Sequence, residues 1–267
     1  AGDQALAYGR VLQSLGRTGE ASRQIEKVLA ERPDDPVVRE LAHGIAANDS
    51  FYADTTLYTV RLLNIPGASS MFSAQPFQGG LLLTAERSGT GRNTNPWNGA
   101  SFLDMYTTKP DASGNWSEVR PLDGDVNGLY HDGPAVCSTS GNELYFTRSD
   151  YYKHRINKDD RAISHLMIFK AERTADGSWQ DIKSFAYNGA DFSAGHPALS
   201  ADGRILYYIS DMPGGFGGTD IYRCDLQADG TWGYPRNLGP TVNTAANEMF
   251  PTLDGDTLYF SSNTKGT

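Results

Sequence analysis

The sequence predicts a short helical segment followed by a large all-β domain assembled from repeated four-stranded units. Two observations carry this. Apolar residues follow the helical period only up to about residue 47 and alternate in and out thereafter. Beyond that point, aromatic, glycine and tryptophan positions recur at fixed offsets in three successive stretches, the signature of an array of like units.

The chain has 267 residues, 39% of them hydrophobic, with 29 glycines and a net charge of -9. Such a composition suits a turn-rich β protein better than a helical one. The acidic balance and the lack of a Lys/Arg cluster argue against nucleic acid or anionic lipid as a partner. No apolar run approaches the ~20 residues that span a bilayer, so no transmembrane segment is expected. The start, AGDQALAYGR, lacks a charged leader and an apolar stretch, so any export signal is expected to lie outside this sequence.

Three helical stripes lie in residues 1–47: Leu6, Val11, Leu12 and Leu15; Ala21, Ile25, Val28 and Leu29; Val37, Val38, Leu41 and Ile45. Gly16 and Gly19 separate the first two, with Thr18 as the candidate N-cap. Pro33 ends the second, and Asp35 before Pro36 caps the third. Tyr8-Gly9, Leu12, Gly16, Ala21, Ile25, Val28 and Pro33 stand at the offsets of a tetratricopeptide repeat. Residues 3–35 therefore resemble one such unit, followed by a further helix to Ala47. One unit cannot bury its apolar face alone. It must pack on preceding repeats, on the β domain or on a partner.

Residues 48–54 read as a linker and 55–267 as the β domain, beginning with an alternating strand over 55–63. Three strands end in Tyr106, Phe169 and Tyr222. Ten residues after each stands a tryptophan, Trp116, Trp179 or Trp232, behind Gly114, Gly177 or Gly230. Upstream, Pro134, Pro197 and Pro251 each precede a strand ending Leu-Tyr-aromatic, across turns such as Asp202-Gly203 and Asp254-Gly255. Pro76 with Gly79-Gly80 begins the most diverged copy. Each unit thus offers four short strands, and four-stranded antiparallel units in tandem predict the blades of a β-propeller.

Pro197 to Ser210 and Pro213 to Tyr222 resemble the WD-like propeller repeat of TolB-type and Bacteroidetes cell-envelope proteins. A tetratricopeptide segment followed by such a propeller is similar to the periplasmic, OmpA-linked proteins of the PorE type. That resemblance implies a fold of α and all-β domains: a tetratricopeptide-type hairpin, then a propeller of three full repeats and a partial one here, six blades if complete. It also implies a periplasmic, outer-membrane-associated location and a link to type IX secretion or gliding. Peptidoglycan would be reached only through an OmpA-like domain absent from this chain. Thr267 falls where the fourth unit should enter its glycine loop, so the propeller is expected to be truncated.

No catalytic constellation and no cofactor site is read from the sequence. Asp176 and Asp229, in Thr-Ala-Asp-Gly-Ser-Trp and Gln-Ala-Asp-Gly-Thr-Trp, sit one residue off the spacing of a sialidase aspartate box and read as turn residues. The glycine-rich run 213–219 lacks the strand-to-helix order of a phosphate cradle; there Asp220 should cap loop amides. Asp123-Gly-Asp125-Val-Asn127-Gly128 matches half a calcium loop, but Pro134 replaces the bidentate glutamate. Asp123 and Asp125 remain only weak candidates for a loop-bound cation. Cys137 and Cys224 fit no metal spacing; two buried free thiols are expected, with a disulfide left open.

Function is therefore sought where the copies differ. The insertion 151–164, with Tyr151, Tyr152, His154 and Arg155, and the segment 93–102, with Trp97 and Phe102, are the candidate partner contacts. The reading is a non-enzymatic scaffold that contacts protein partners of the cell envelope. The alternative is a propeller that binds or hydrolyses cell-wall glycan.

Overall fold

The computed structural model describes residues 2–47, 59, 61–86, 94, 99–152 and 155–263. Its element order begins with three helices, α1 (Gly2–Ser14), α2 (Thr18–Glu31) and α3 (Pro36–Ala46). Leu12, Ala21, Ile25, Val28, Val38, Leu41 and Ile45 form a core of their own. Gly9 is what lets α1 approach α2, because a Cβ there would meet Ile25 Cδ1 at 2.6 Å. Asp35 caps α3, its Oδ1 accepting from the Val37 and Val38 amides at 3.0 and 3.3 Å. Thr18 does not cap α2. It is the first helical residue, and the cap position falls to Arg17, whose guanidinium pairs with Glu20 instead.

The rest is mostly β. A first sheet runs β1 (Phe72–Phe77), β2 (Gly80–Glu86), β3 (Leu103–Thr108) and β4 (Arg120–Pro121) in that order. The second contains β5 (Asp132–Cys137), β6 (Glu143–Ser149), β9 (Leu166–Arg173) and β10 (Trp179–Ser184). Between β6 and β9 lies a two-residue hairpin, β7 (Tyr151–Tyr152) and β8 (Arg155–Ile156). The third is β11 (Ala194–Leu199), β12 (Ile205–Ser210), β13 (Asp220–Asp225) and β14 (Arg236–Asn237). A last pair, β15 (Glu248–Asp254) and β16 (Thr257–Ser262), follows. Every pairing within these sheets is antiparallel.

The arrangement is propeller-like. In each four-stranded sheet the chain steps from the first strand outward to the fourth. The first strands β5, β11 and β15 pack in succession, and β1 lies against β5. Cores form between consecutive sheets. Phe77, Leu82 and Met105 of the first meet Ala135, Leu144, Phe146 and Trp179 of the second. Val136, Tyr145, Ile168 and Phe185 of the second meet Ala194, Leu206, Tyr208, Tyr222 and Cys224 of the third. Strands apolar on both faces are what such face-to-face packing demands. The six-bladed ring expected of an intact propeller is not seen among the described residues. Instead the first and fourth inner strands touch: Gln75 Nε2 donates to Thr252 Oγ1 at 3.0 Å, and the Phe72 and Phe250 rings meet edge-on at 5.9 Å.

Two devices recur, the first in all four units and the second in the three four-stranded ones. The first is a bulge in the innermost strand, at Ser73-Ala74, Gly133-Pro134, His196-Pro197 and Phe250-Pro251. Its first residue is left-handed each time, with φ of 51° at Ser73, 97° at Gly133, 48° at His196 and 52° at Phe250. The register therefore corrects the first copy: Ala74, not Pro76, stands where the later units carry proline. Pro76 pairs with Leu81 two residues on. The second device is an asparagine clamp. Asn127 accepts from the Met105 amide at 2.8 Å and donates to the Met105 carbonyl at 3.0 Å. Asn188 does the same to Ile168, and Asn243 to Ile221. Each clamp ties the loop after a unit's outer strand back to its third strand.

The strand expected over 55–63 does not form where it is described. Residues 61–64 are irregular and Leu62 is 89% exposed. The segment that follows works as a cover: Ile65, Ala68 and Met71 pack on Leu83, Ala85, Tyr106 and Val119, the outer face of the first sheet. Part of the expected strand, with the linker 48–54, lies outside the described residues.

Candidate functional site

Antiparallel hairpin order sends the connections between second and third strands to one end of the sheets. The candidate contacts all belong to these connections. Trp97 and His154 lie outside the described residues. Tyr151, Tyr152 and Arg155 form the β7–β8 hairpin, with Tyr151 opposite Ile156 and Tyr152 opposite Arg155. Phe102 is 7% exposed; its ring packs edge-on against Tyr130 at 5.2 Å and His131 at 4.8 Å, and so is used within the chain. Beside the hairpin, Asp150, Asp159, Asp160, His165 and Asp191 line a cavity of about 210 Å³. Asp159 is held below the usual carboxylate range by the Ile163 amide above all, then by Arg161 and His165. Both its oxygens are occupied by these donors.

At the same end, the 213–219 loop leans on the next unit. Gly218 donates to the Ala246 carbonyl at 2.6 Å, and a Cβ at Gly217 would meet the Thr244 carbonyl at 2.4 Å. Asp220 takes the Phe216 and Gly217 amides and the Asn237 amide group. The glycines thus serve close packing, and Asp220 caps the loop, as its sequence context predicts.

Asp123 and Asp125 are exposed and act through their backbone: Trp179 donates to the Asp123 carbonyl, and the Asp125 amide donates to Trp179, at 2.9 and 3.0 Å. Asn127, third in the same pattern, is a clamp. No group of three or more His, Cys, Asp or Glu side chains suited to a metal occurs among the described residues. Asp176 is brought down to about 2 by the Thr174 hydroxyl and the Ser178 amide and hydroxyl; Asp229 is lowered by Thr231 in the same way. Both are turn residues. Cys137 is half-buried and Cys224 buried, both unpaired, in different cores. Burial pushes their thiols up to about 11 and about 12, away from thiolate reactivity.

The opposite end carries what sequence reasoning missed. The turn between third and fourth strands is built three times alike. Asp111, Thr174 and Gln227 each exchange backbone bonds with residues three and four further on, and Gly114, Gly177 and Gly230 supply the positive φ. Against each turn's tryptophan lies a cleft shared with residues that precede its own sheet in the chain. The cleft at Trp116 is about 590 Å³, with Leu62, Leu63, Ile65 and Pro66 beside Asn64 and Asn115. That at Trp179 is about 330 Å³ and lined by Lys109, Arg120 and Arg173, its tryptophan buried to 1% exposure. That at Trp232 is about 510 Å³, with Tyr187, Tyr234, Asp225 and Arg236. The constant ten-residue offset of each tryptophan from its strand-ending aromatic was the available signal, but a linear sequence does not show which segment each ring faces.

No family model matches the sequence, and no curated relative does. The structure resembles that of TolB from Acinetobacter baumannii at 16% identity and a TM-score of 0.39, covering 70% of this chain and 39% of that one. It also resembles a thermostable family-43 glycoside hydrolase at 13% identity and a TM-score of 0.41, covering 76% and 85%. A third is the Trypanosoma rangeli sialidase at 15% identity and a TM-score of 0.36, covering 78% and 38%. These are propeller-like β-sheet proteins, and scores this low carry no inference about substrate. They do correct one expectation: solved structures resembling this chain are mostly enzymes, puromycin hydrolase among them, so a non-enzymatic chain no longer follows.

Proposed function

We propose that the chain is a periplasmic, outer-membrane-associated scaffold that joins protein partners of the cell envelope, within a type IX secretion or gliding assembly. Peptidoglycan would be held through an OmpA-like domain outside this sequence. The observation that supports it most is on α1. Tyr8 and Val11, with Leu15 in the turn that closes the helix, are spaced three and four residues apart along one side and are 50%, 53% and 64% exposed. The adjoining face of the helix, with Gly9 and Leu12 buried, packs into the helical core. A tetratricopeptide-type hairpin that leaves such a stripe open receives a further helix there, while the β domain supplies a broad, loop-bearing platform. Further support is the acidic surface without a basic patch, which disfavours nucleic acid.

The test is affinity purification from envelope extracts of a producing cell, comparing wild type with Val11→Asp/Leu15→Asp. Both positions are exposed, so the helix should persist by circular dichroism. Loss of outer-membrane or secretion-machine proteins from the double variant, with the fold intact, supports the reading. Equal recovery of the same partners contradicts it.

A further inference from the structure

The three tryptophan clefts are equivalent in backbone and unlike in lining. We propose that the third, at Trp232, is an oligosaccharide-binding site. This inference stands apart from the scaffold reading and does not rest on it.

Two aromatic residues are present there that have no aromatic counterpart in the sister units. Two residues beyond each repeat tryptophan stand Glu118, Asp181 and Tyr234; two beyond each core position that follows stand Gly124 for Leu122 and Tyr187 for Phe185. The sister units are built as well without those rings. Tyr234 is 84% exposed, so it adds little to the fold. It meets Tyr187 at 5.7 Å between centroids and 47° between planes, an angled wall rather than a closed stack. Tyr187 is itself fixed by its hydroxyl, which donates to the Trp232 carbonyl at 3.0 Å, and Trp232 is braced edge-on by Tyr145.

The polar groups of the cleft are equally fixed. Asp225 accepts from both Arg223 and Arg236. Gln227 donates to the Asp225 carbonyl at 2.9 Å, which leaves its own side-chain oxygen free to accept. Ring faces thus stand beside planar donors and acceptors already held in place. A sugar presents that same pair of surfaces: an apolar C–H face for an aromatic ring and hydroxyls at its rim for guanidinium, carboxylate and amide. A purely apolar ligand would strip water from the Arg–Asp–Arg group without replacing it. A nucleic acid is disfavoured by the net charge of -9. The cleft, about 510 Å³, is large enough for a short oligosaccharide. Its single carboxylate is pinned between two guanidiniums and makes half of the pair that glycoside cleavage uses, so the assigned role is binding.

The experiment titrates the whole chain with chitotetraose, cellotetraose and a proline-rich decapeptide, reading tryptophan fluorescence and calorimetric heat. Saturable binding of a tetrasaccharide, weakened about tenfold or more by Tyr234→Ala and by Arg236→Ala, is expected. Tyr259→Ala, at an exposed tyrosine on β16, should leave it unchanged. Tyr234 is so exposed that its variant keeps the fold, which the unfolding midpoint verifies. Absence of saturable binding to either sugar, binding indifferent to Tyr234 and Arg236, or binding of the peptide alone would overturn the proposal.

Discussion

Two buried titrating residues pull the pH dependence of stability in opposite directions. His196 is 6% exposed, stacked on Phe250 at 4.2 Å, and burial pushes its pKa from 6.5 down to about 4. The unfolded chain therefore takes up a proton between pH 6.5 and 4 that the folded chain refuses, and stability is lost as pH falls through that window. Asp132 is the reverse. Burial raises it from 3.8 to about 6 against the pull of Arg148, 2.5 Å away. Its ionisation disfavours the folded state, so stability is gained as pH falls from 6 towards 4. Urea midpoints at pH 7, 5.5 and 4.5 separate the two. His196→Asn should lose less stability on acidification than wild type, and Asp132→Asn should lose more. Parallel slopes in all three proteins would contradict both assignments. The clamps permit a sharper test. Asn243 is 2% exposed and satisfies both backbone groups of Ile221. Asn243→Ala should cost about 2–3 kcal/mol in denaturant unfolding, because a buried amide and carbonyl lose their partners; a cost under about 0.5 kcal/mol would show that water replaces it.

At the scale of elements, legibility followed the local physics. The Asp35-Pro36 cap and the Gly-x-Trp turns were readable because each satisfies its own backbone groups within a few residues. The Thr18 cap was misread because Arg17 finds Glu20 three residues on and takes the cap position. Leu15 and Val11 belong to an apolar stripe in sequence, yet one face of α1 is already filled by Leu12, and they turn outward. The strand over 55–63 was misread for a related reason. Alternation with apolar residues on both faces specifies no partner, and the chain at 65–71 covers the first sheet as an irregular segment instead. The inner-strand bulges were invisible. Proline marked three of them, but Ala74 shows that proline is not what makes the bulge; the left-handed residue before it is.

For the whole molecule, fixed offsets in the sequence made the repeated four-stranded sheets legible, since each unit repeats the same turn chemistry. The clefts were not, because they arise between units. Each pairs a turn with residues that precede its own sheet in the chain, and residues such as Tyr187 and Tyr234 are 47 positions apart in sequence while adjacent in space. The contact of β1 with β15 through Gln75 and Phe72 is likewise a property of the assembled sheets. The same scale sets the functional account, in which exposed side chains of α1 join the chain to a larger envelope assembly. A photo-crosslinking residue placed at Val11 and activated in living cells tests this most directly. A single dominant adduct with a cell-envelope protein is expected, lost when Leu15 is changed to Asp. Adducts only between copies of this chain, or none above those from a crosslinker placed at the exposed Asp254 turn, would contradict it.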